Sequence, residues 1–484
     1  MNYKMIAKLI GLLLFIEAGL LIPPAIVALI YEESLIPYIV SAAIMIVAAI
    51  PLFLIKPKVR DIYAKEGFVT VALMWISLSV FGALPFVFSG AIPNYIDALF
   101  ETVSGFTTTG ASILTEVESL PRGVLFWRSF THWIGGMGVL VFMLAIIPSA
   151  GGGAIHLMRA EVPGPTKGKL VPKIKHSAII LYSIYLFMTI AETIALILAD
   201  MPLYDSVINA FGTMGTGGFS VRNASIASYN NPAAEWIIAI FLLLSGINYN
   251  LYYYILIRRY SDVIKNEELK LYLALTLVAT AIITLNVWFS AVNTFDSVGD
   301  CIRTAFFQVT SIMSTAGFST ANFNLWPELS KTLLVLLMFL GACAGSTAGG
   351  LKISRFIIIL KTMKKEIRHV LHPTSVAKIR VDGEVIPEST TRSAMNYLSF
   401  YTLGMAASLL LISFDGFDFT TNATAVISCV NNIGPGLGAV GPMGNFAGYS
   451  LFSKFVLSLT MLFGRLEIMP MIILLTPSWI KKKH

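Results

Sequence analysis

The sequence predicts an all-α polytopic membrane protein: four span, pore-loop, span units around a central pore, with an N-terminal helix pair outside them. Three observations lead there. Of 484 residues, 56% are apolar and 13% charged, a charged share about half that of a soluble protein. Long apolar runs recur along the whole chain, each able to cross hydrocarbon roughly 30 Å thick as a helix. Gly-rich segments around Gly110, Gly218, Gly317 and Gly436 recur at intervals of roughly a hundred residues, each between a short helix-like stretch and another apolar run.

Residues 1–67 read as a transmembrane hairpin. Its first run, 6–30, follows Lys4 and Lys8 and ends at Glu32 and Glu33. It is too long for a signal-peptide core and lacks a small-residue cleavage site, so it is expected to remain as a helix. Residues 36–55 return to the basic loop of Lys56, Lys58, Arg60 and Lys65.

The first unit, 68–175, has a span at 68–88, a re-entrant helix at 93–106, the Gly110 loop and a span at 122–148, leaving through Arg159, Lys167, Lys169, Lys173 and Lys175. The second, 176–266, uses 179–199, 202–214, the Gly218 loop and 234–257, ending at Arg258 and Arg259. Asp97 and Asp205 each stand thirteen residues before Gly110 and Gly218, which aligns the two loops. In the third, 267–389, residues 271–290, 299–314 and the Gly317 loop precede a span at 329–360 broken by the Gly-rich run 341–350, and a polar stretch, 361–392, follows. The fourth, 390–484, has 399–414, 419–430, the Gly436 loop and 449–475, stopped by Lys481, Lys482 and Lys483. The expected tally is ten full spans. Most Lys and Arg fall on the side of the N-terminus, so both termini are expected in the cytoplasm. The net charge of +7 is thereby explained by topology, and nucleic acid is not expected.

Irregular backbone cannot face lipid, because each unpaired carbonyl in hydrocarbon costs several kcal/mol. Four loops meeting on one axis would instead turn carbonyls toward a permeating ion and replace its hydration shell. The candidates are Thr108, Thr109 and Gly110; Thr216, Gly217 and Gly218; Thr315, Ala316 and Gly317; and Asn432, Ile433, Gly434 and Gly436.

Gly341, Gly345 and Gly349 have the spacing of a helix-packing face. Ser346, Thr347 and Gly350 add enough lost helix propensity to favour a break there. Gly345, Ser346, Thr347, Gly349, Gly350 and Lys352 are therefore gate candidates, Lys352 either contacting the gate or snorkelling to the cytoplasm. Arg465, deep in an apolar run, is either a cation barrier below the loops or the structural partner of Glu467. Glu17, Glu192, Arg128 and His132 read as helix–helix polar contacts, and Cys301, Cys343 and Cys429 as small core residues.

The stretch 164–169 lacks the length and the closing Ser or Thr of a phosphate loop. No catalytic or metal motif is found; an intramembrane protease would need, for instance, Ser346 beside His132.

The motifs TTTG, TGGFS, STAGFST and NNIGPGLG, with 341–350 and Gly-Arg-Leu-Glu at 464–467, make the chain resemble the Trk/Ktr/HKT superfamily of potassium transporters, most closely its bacterial TrkH/TrkG branch. The resemblance spans essentially the whole chain. It implies potassium uptake across the bacterial cytoplasmic membrane, with K+ held by backbone carbonyls of the loop residues named above and no cofactor on this chain. It also implies a homodimer with one pore per protomer, gated by a cytoplasmic TrkA-like nucleotide-binding subunit. Sodium- or proton-coupled symport is the other transport reading; it would want acids at midmembrane helix breaks, which are scarce. The fourth unit departs from the pattern, with Asn431, Asn432 and Pro435 where Thr precedes the other loops, and this bears on potassium-over-sodium discrimination.

Overall fold

The computed structural model describes residues 1–57, 63–138, 174–292, 294–374 and 378–476. Lys58, Arg60, the continuation of the first unit's second span toward residue 148, the basic exit from Arg159 to Lys173, the 164–169 stretch and Lys481 to Lys483 lie outside the described residues.

Tyr3–Leu20 and Ile22–Ile30 run on as one hydrophobic helix, with a proline pair at the start of the second piece, and Ile36–Phe53 folds back against them. Gly11 permits the close approach: a Cβ there would lie 2.7 Å from the Phe53 backbone nitrogen.

One order of elements then recurs four times: long helix, short helix, irregular loop, second helix. The long helices are Ala64–Gly82 with Leu84–Phe88, Ile174–Leu198, Glu267–Trp288 and Glu388–Ile412. The short ones are Tyr95–Phe106, Leu203–Gly215, Val298–Met313 and Phe419–Asn431. Three start at side-chain caps, where Asn94, Ser297 and Asp418 accept N–H bonds that the first helical turn cannot satisfy itself. They lie at the centre, and their buried hydroxyls turn inward onto their own backbone, as Thr102 does on the Ala98 carbonyl at 2.7 Å and Thr310 on that of Phe306 at 2.9 Å.

The distribution of polarity is that of a protein solvated by lipid. Phe187, Leu198, Leu285, Leu403 and Leu410 are exposed on the outer helices, while Thr, Ser and Asn side chains of the short helices are buried. Six described helices are long and apolar enough to cross a membrane, or seven if Pro232–Ser245 and Tyr249–Leu256, bent by 90°, count as one span.

The second helices of the second, third and fourth units are broken rather than continuous. The bend in the second unit is followed by Tyr249–Leu256, capped by the Asn248 side chain. The third unit breaks between Glu328–Leu340 and Ile353–Leu371, as the glycines led one to expect. The fourth breaks between Leu451–Arg465 and Met469–Leu475, where Glu467 and Ile468 have φ of 54° and 70°. Apart from the charged, 19-residue Ile353–Leu371, each half falls short of a bilayer thickness by itself. Much of the polar stretch 361–392 is also structured: the flanking helices extend into it, and Arg380–Val381 pairs antiparallel with Glu384–Val385 in a minimal hairpin.

Candidate functional site

All four short helices end in the same way. Thr108, Thr216, Thr315 and Asn432 occupy the left-handed region at φ of 56°, 56°, 60° and 55°. Each donates its N–H to a carbonyl three residues back, and the next residue donates to one five back: Thr109 to Ser104 at 2.8 Å, Gly217 to Gly212 at 2.8 Å, Ala316 to Ser311 at 2.9 Å and Ile433 to Ser428 at 3.0 Å. These paired bonds define a Schellman C-cap. A non-glycine residue in that conformation costs about 1–2 kcal/mol, so four such residues in register mark a backbone path imposed by its surroundings.

A glycine at positive φ comes next in every loop: Gly110 at 78°, Gly218 at 75°, Gly317 at 82° and Gly434 at 105°. These four glycines close a ring. A Cβ on Gly110 would sit 2.0 Å from the carbonyl oxygen of Gly217, one on Gly218 2.0 Å from that of Ala316, one on Gly317 2.0 Å from that of Ile433, and one on Gly434 2.8 Å from that of Thr109. Each unit thus presses its glycine against the carbonyl of the next, and the fourth returns to the first. Gly436 falls outside this ring. Its N–H bonds to the Val440 carbonyl at 2.7 Å and its Cα packs on Thr424, because the left-handed Asn432 sets the register and leaves Gly434 as the counterpart of Gly110.

Behind the ring, the intramembrane polar residues of the first unit contact the loops. His132 Nδ1 donates to the Gly105 carbonyl at 2.7 Å and Nε2 accepts the Phe219 N–H at 3.2 Å, which fixes a neutral tautomer. Its ring packs on Phe219 with centroids 4.1 Å apart. Arg128 pairs with Glu101 at 2.7 Å and donates to the Ser220 carbonyl at 3.0 Å. Glu101 is absent from the sequence reading; a carboxylate in the middle of a short apolar helix, past its first turn, with Arg128 in the following helix, was the available signal. Glu17, by contrast, is fully buried and has no hydrogen-bond partner among the described residues, and Glu192 is fully buried too.

At the short helices' C-terminal ends lies the broken segment of the third unit. Gly349 donates its N–H to Thr315 Oγ1 at 2.7 Å and packs on the Asn431 carbonyl. Tyr249, just past the bend in the second unit, donates its N–H to the Gly345 carbonyl at 3.0 Å. Glu268 Oε1 accepts from Ala344 at 2.6 Å and Ser354 at 3.0 Å, tying both ends of the break. Gly345 and Gly350 have φ of 73° and 77°, and Lys352 has φ of 70°. Lys352 is 2% exposed and its ammonium bonds the Ala348 carbonyl, so it stays inside the segment and does not snorkel outward.

Arg465 bridges this segment to the first unit, donating to the carbonyls of Thr347 at 2.8 Å, Gly135 at 2.5 Å and Gly136 at 2.9 Å. The last two belong to the C-terminal turn of Arg122–Gly136, where a cation also meets the negative end of the helix dipole. The pairing of Arg465 with Glu467 is not formed: Glu467 bonds Arg355 at 2.5 Å, whose guanidinium lies over the Tyr397 ring. Ser346 Oγ donates to the Cys343 carbonyl and His132 is engaged on the loops, so the protease pairing is absent too. No cluster of His, Cys, Asp or Glu suited to a metal occurs among the described residues, and the three cysteines are free and buried.

With this geometry in hand, the comparisons with known proteins agree. Residues 38–479 match the TrkH family, described as cation transport protein. A Salmonella typhimurium protein, "Trk system potassium uptake protein TrkH", is 38% identical over 99% of both chains. The Escherichia coli "Trk system potassium uptake protein TrkG" is 33% identical over 98% of both. The crystal structure of the potassium transporter TrkH from Vibrio parahaemolyticus superposes with a TM-score of 0.88 at 32% identity, covering 99% of this chain and 100% of the other. This chain, an all-helical membrane protein with several apolar spans, belongs to the TrkH family of transport proteins.

Proposed function

We propose that the chain takes up potassium across the bacterial cytoplasmic membrane through a channel-like pore on the axis of the four-glycine ring. The carrying observation is that ring: Gly110, Gly218, Gly317 and Gly434 each abut the carbonyl of the next unit. Thr109, Gly217, Ala316 and Ile433 then supply carbonyls at equivalent places around one axis, a fixed substitute for hydration water. The pore is lined by the four span, pore-loop, span units, whose short helices serve as pore helices. The relatives' printed names, potassium uptake proteins, favour potassium as the ion.

The segment 341–352 is the gate, held at the inner mouth by Thr315, Glu268 and Arg465. A cytoplasmic TrkA-like nucleotide-binding subunit moves it, and the protein works as a homodimer with both termini inside; the basic side chains on that face suit an acidic partner or anionic lipid. Purified protein in liposomes tests the proposal: rubidium should enter down an imposed potential and sodium much more slowly. Equal entry of both ions would refute the selective pore, and no entry of either would refute conduction.

A further inference from the structure

The four quadrants of the ring are not held alike. Nine residues before the ring glycines stand Glu101, Asn209, Gln308 and Ala425. Only in the first unit does this position carry a charge. Glu101 is fully buried: Oε1 accepts from Arg128 Nε at 2.7 Å and from Ser112 Oγ at 2.9 Å, and Oε2 accepts the Ile113 N–H at 3.0 Å. Ser112 and Ile113 are the second and third residues after Gly110. The guanidinium of Arg128 extends the chain of bonds across the unit boundary to the Ser220 carbonyl at 3.0 Å and lies 3.6 Å from the Phe219 ring centroid; these residues directly follow Gly218. One ion pair thus grips the exits of two neighbouring loops.

At the same position the other quadrants have neutral counterparts, and the third and fourth loops are held by neutral hydroxyl bonds instead, Ser311 Oγ to the Phe318 carbonyl and Ser428 Oγ to the Gly434 carbonyl, each at 2.7 Å. Gln308 reaches only Thr320 Oγ1 at 3.4 Å, Asn209 contacts Tyr229 and Met201 rather than its own loop, and Ala425 has no polar atom to offer. Charge-assisted bonds are roughly twice as strong as neutral ones, and more so away from water.

We propose that Glu101 and Arg128 are a positioning pair that sets the ion preference of the ring, by fixing the Thr109 and Gly217 carbonyls more stiffly than those of Ala316 and Ile433. Neither residue touches the ion. Where selectivity between cations of different radius comes from cavity size, part of the cage must resist closing on the smaller one, and this pair supplies that resistance on the first two sides. The inference rests on the pore reading above.

The test measures rubidium and sodium uptake into liposomes for Glu101→Gln, Arg128→Lys and Ser112→Ala, with melting temperature and yield of monodisperse protein recorded for each. Gly317→Ala serves as the reference for the ring itself. The expected result is a fall of about tenfold in the rubidium-to-sodium ratio for Glu101→Gln and Arg128→Lys, and a smaller fall for Ser112→Ala, with rubidium uptake per folded protein largely kept. A wild-type ratio in all three, while Gly317→Ala lowers it, overturns the positioning role and leaves the ring standing. An unchanged ratio in Gly317→Ala as well overturns the ring reading instead. Uptake of both ions falling together, or Glu101→Gln and Arg128→Lys failing to fold while Ser112→Ala keeps the wild-type ratio, assigns the pair to folding alone and overturns the proposal.

Discussion

Substituting alanine at each ring glycine in turn should give unequal results, and the structure ranks them. At Gly317 the new Cβ would lie 2.0 Å from the Ile433 carbonyl oxygen and 2.7 Å from Pro435 Cδ, and the same 2.0 Å holds at Gly110 and Gly218 against Gly217 and Ala316. Contacts under 3.0 Å are not sustained, so the carbonyl must retreat by about 1 Å. At Gly434 the gap is already 2.8 Å, and the retreat is a few tenths of an ångström. All four pay a positive-φ penalty, about 1–2 kcal/mol in the left-handed region and more at Gly434, whose φ is 105°; that cost falls on the melting temperature, and the ranking of ion ratios rests on crowding alone. Losing about 1.4 kcal/mol of preference for the larger ion is a tenfold loss of selectivity. The rubidium-to-sodium ratio should thus drop about tenfold or more for Gly110→Ala, Gly218→Ala and Gly317→Ala, and only about twofold to threefold for Gly434→Ala. Gly90→Ala isolates the strain, since φ there is 74° with no atom within 4 Å of the added Cβ; it should lower the melting temperature slightly and leave the ratio alone. Equal effects at all four ring positions, or the largest effect at Gly434, would refute the reasoning from crowding.

Arg465→Ala removes a fixed charge and three carbonyl bonds, and should raise uptake per folded protomer, while Arg465→Lys keeps the charge and stays near wild type; a folded alanine variant no faster than wild type removes Arg465 from the barrier. Deleting residues 344–349 takes away the contacts to Thr315, Glu268 and Arg465 together, and should raise basal uptake and lower dependence on a regulatory subunit. Wild-type uptake and regulation in a folded deletion variant would exclude gating. Glu268→Leu strands the Ala344 and Ser354 N–H groups, each costing about 1–3 kcal/mol, whereas Glu268→Gln retains an acceptor; thermal unfolding in detergent should separate the two by several degrees. Arg355→Met leaves Glu467 without its ion-pair partner and should cost about 3 kcal/mol, most of it regained in Arg355→Met/Glu467→Gln, so an additive double variant would show the pair to be uncoupled.

What the sequence by itself determined was the class of solvent and the places where helices cannot continue. Apolar runs and low charge specify lipid, and the glycines at 110, 218 and 317 mark backbone that other residues adopt at a cost. The run 341–350 likewise announced its own break, because helix propensity is local. Signals for the other breaks were present, Gly246 and Asn248 in the second unit and Pro470 in the fourth, but weaker than the tertiary contacts that decide them. Only the tertiary structure fixed the register of the fourth loop. Asn432 takes a left-handed conformation that its sequence neighbours do not require; its side chain is held by Thr109 Oγ1 at 3.0 Å, 323 residues away, and by the Met461 carbonyl at 3.0 Å, and of the two candidate glycines this puts Gly434 rather than Gly436 in the ring. Arg465 was visible as a buried charge, whereas its partners, Gly135, Gly136 and Thr347, are backbone carbonyls that carry no residue-type signature. Glu101 shows the same limit: an acid in the middle of a short helix acquires its role only when Arg128 and two loop exits, one from another unit, close around it.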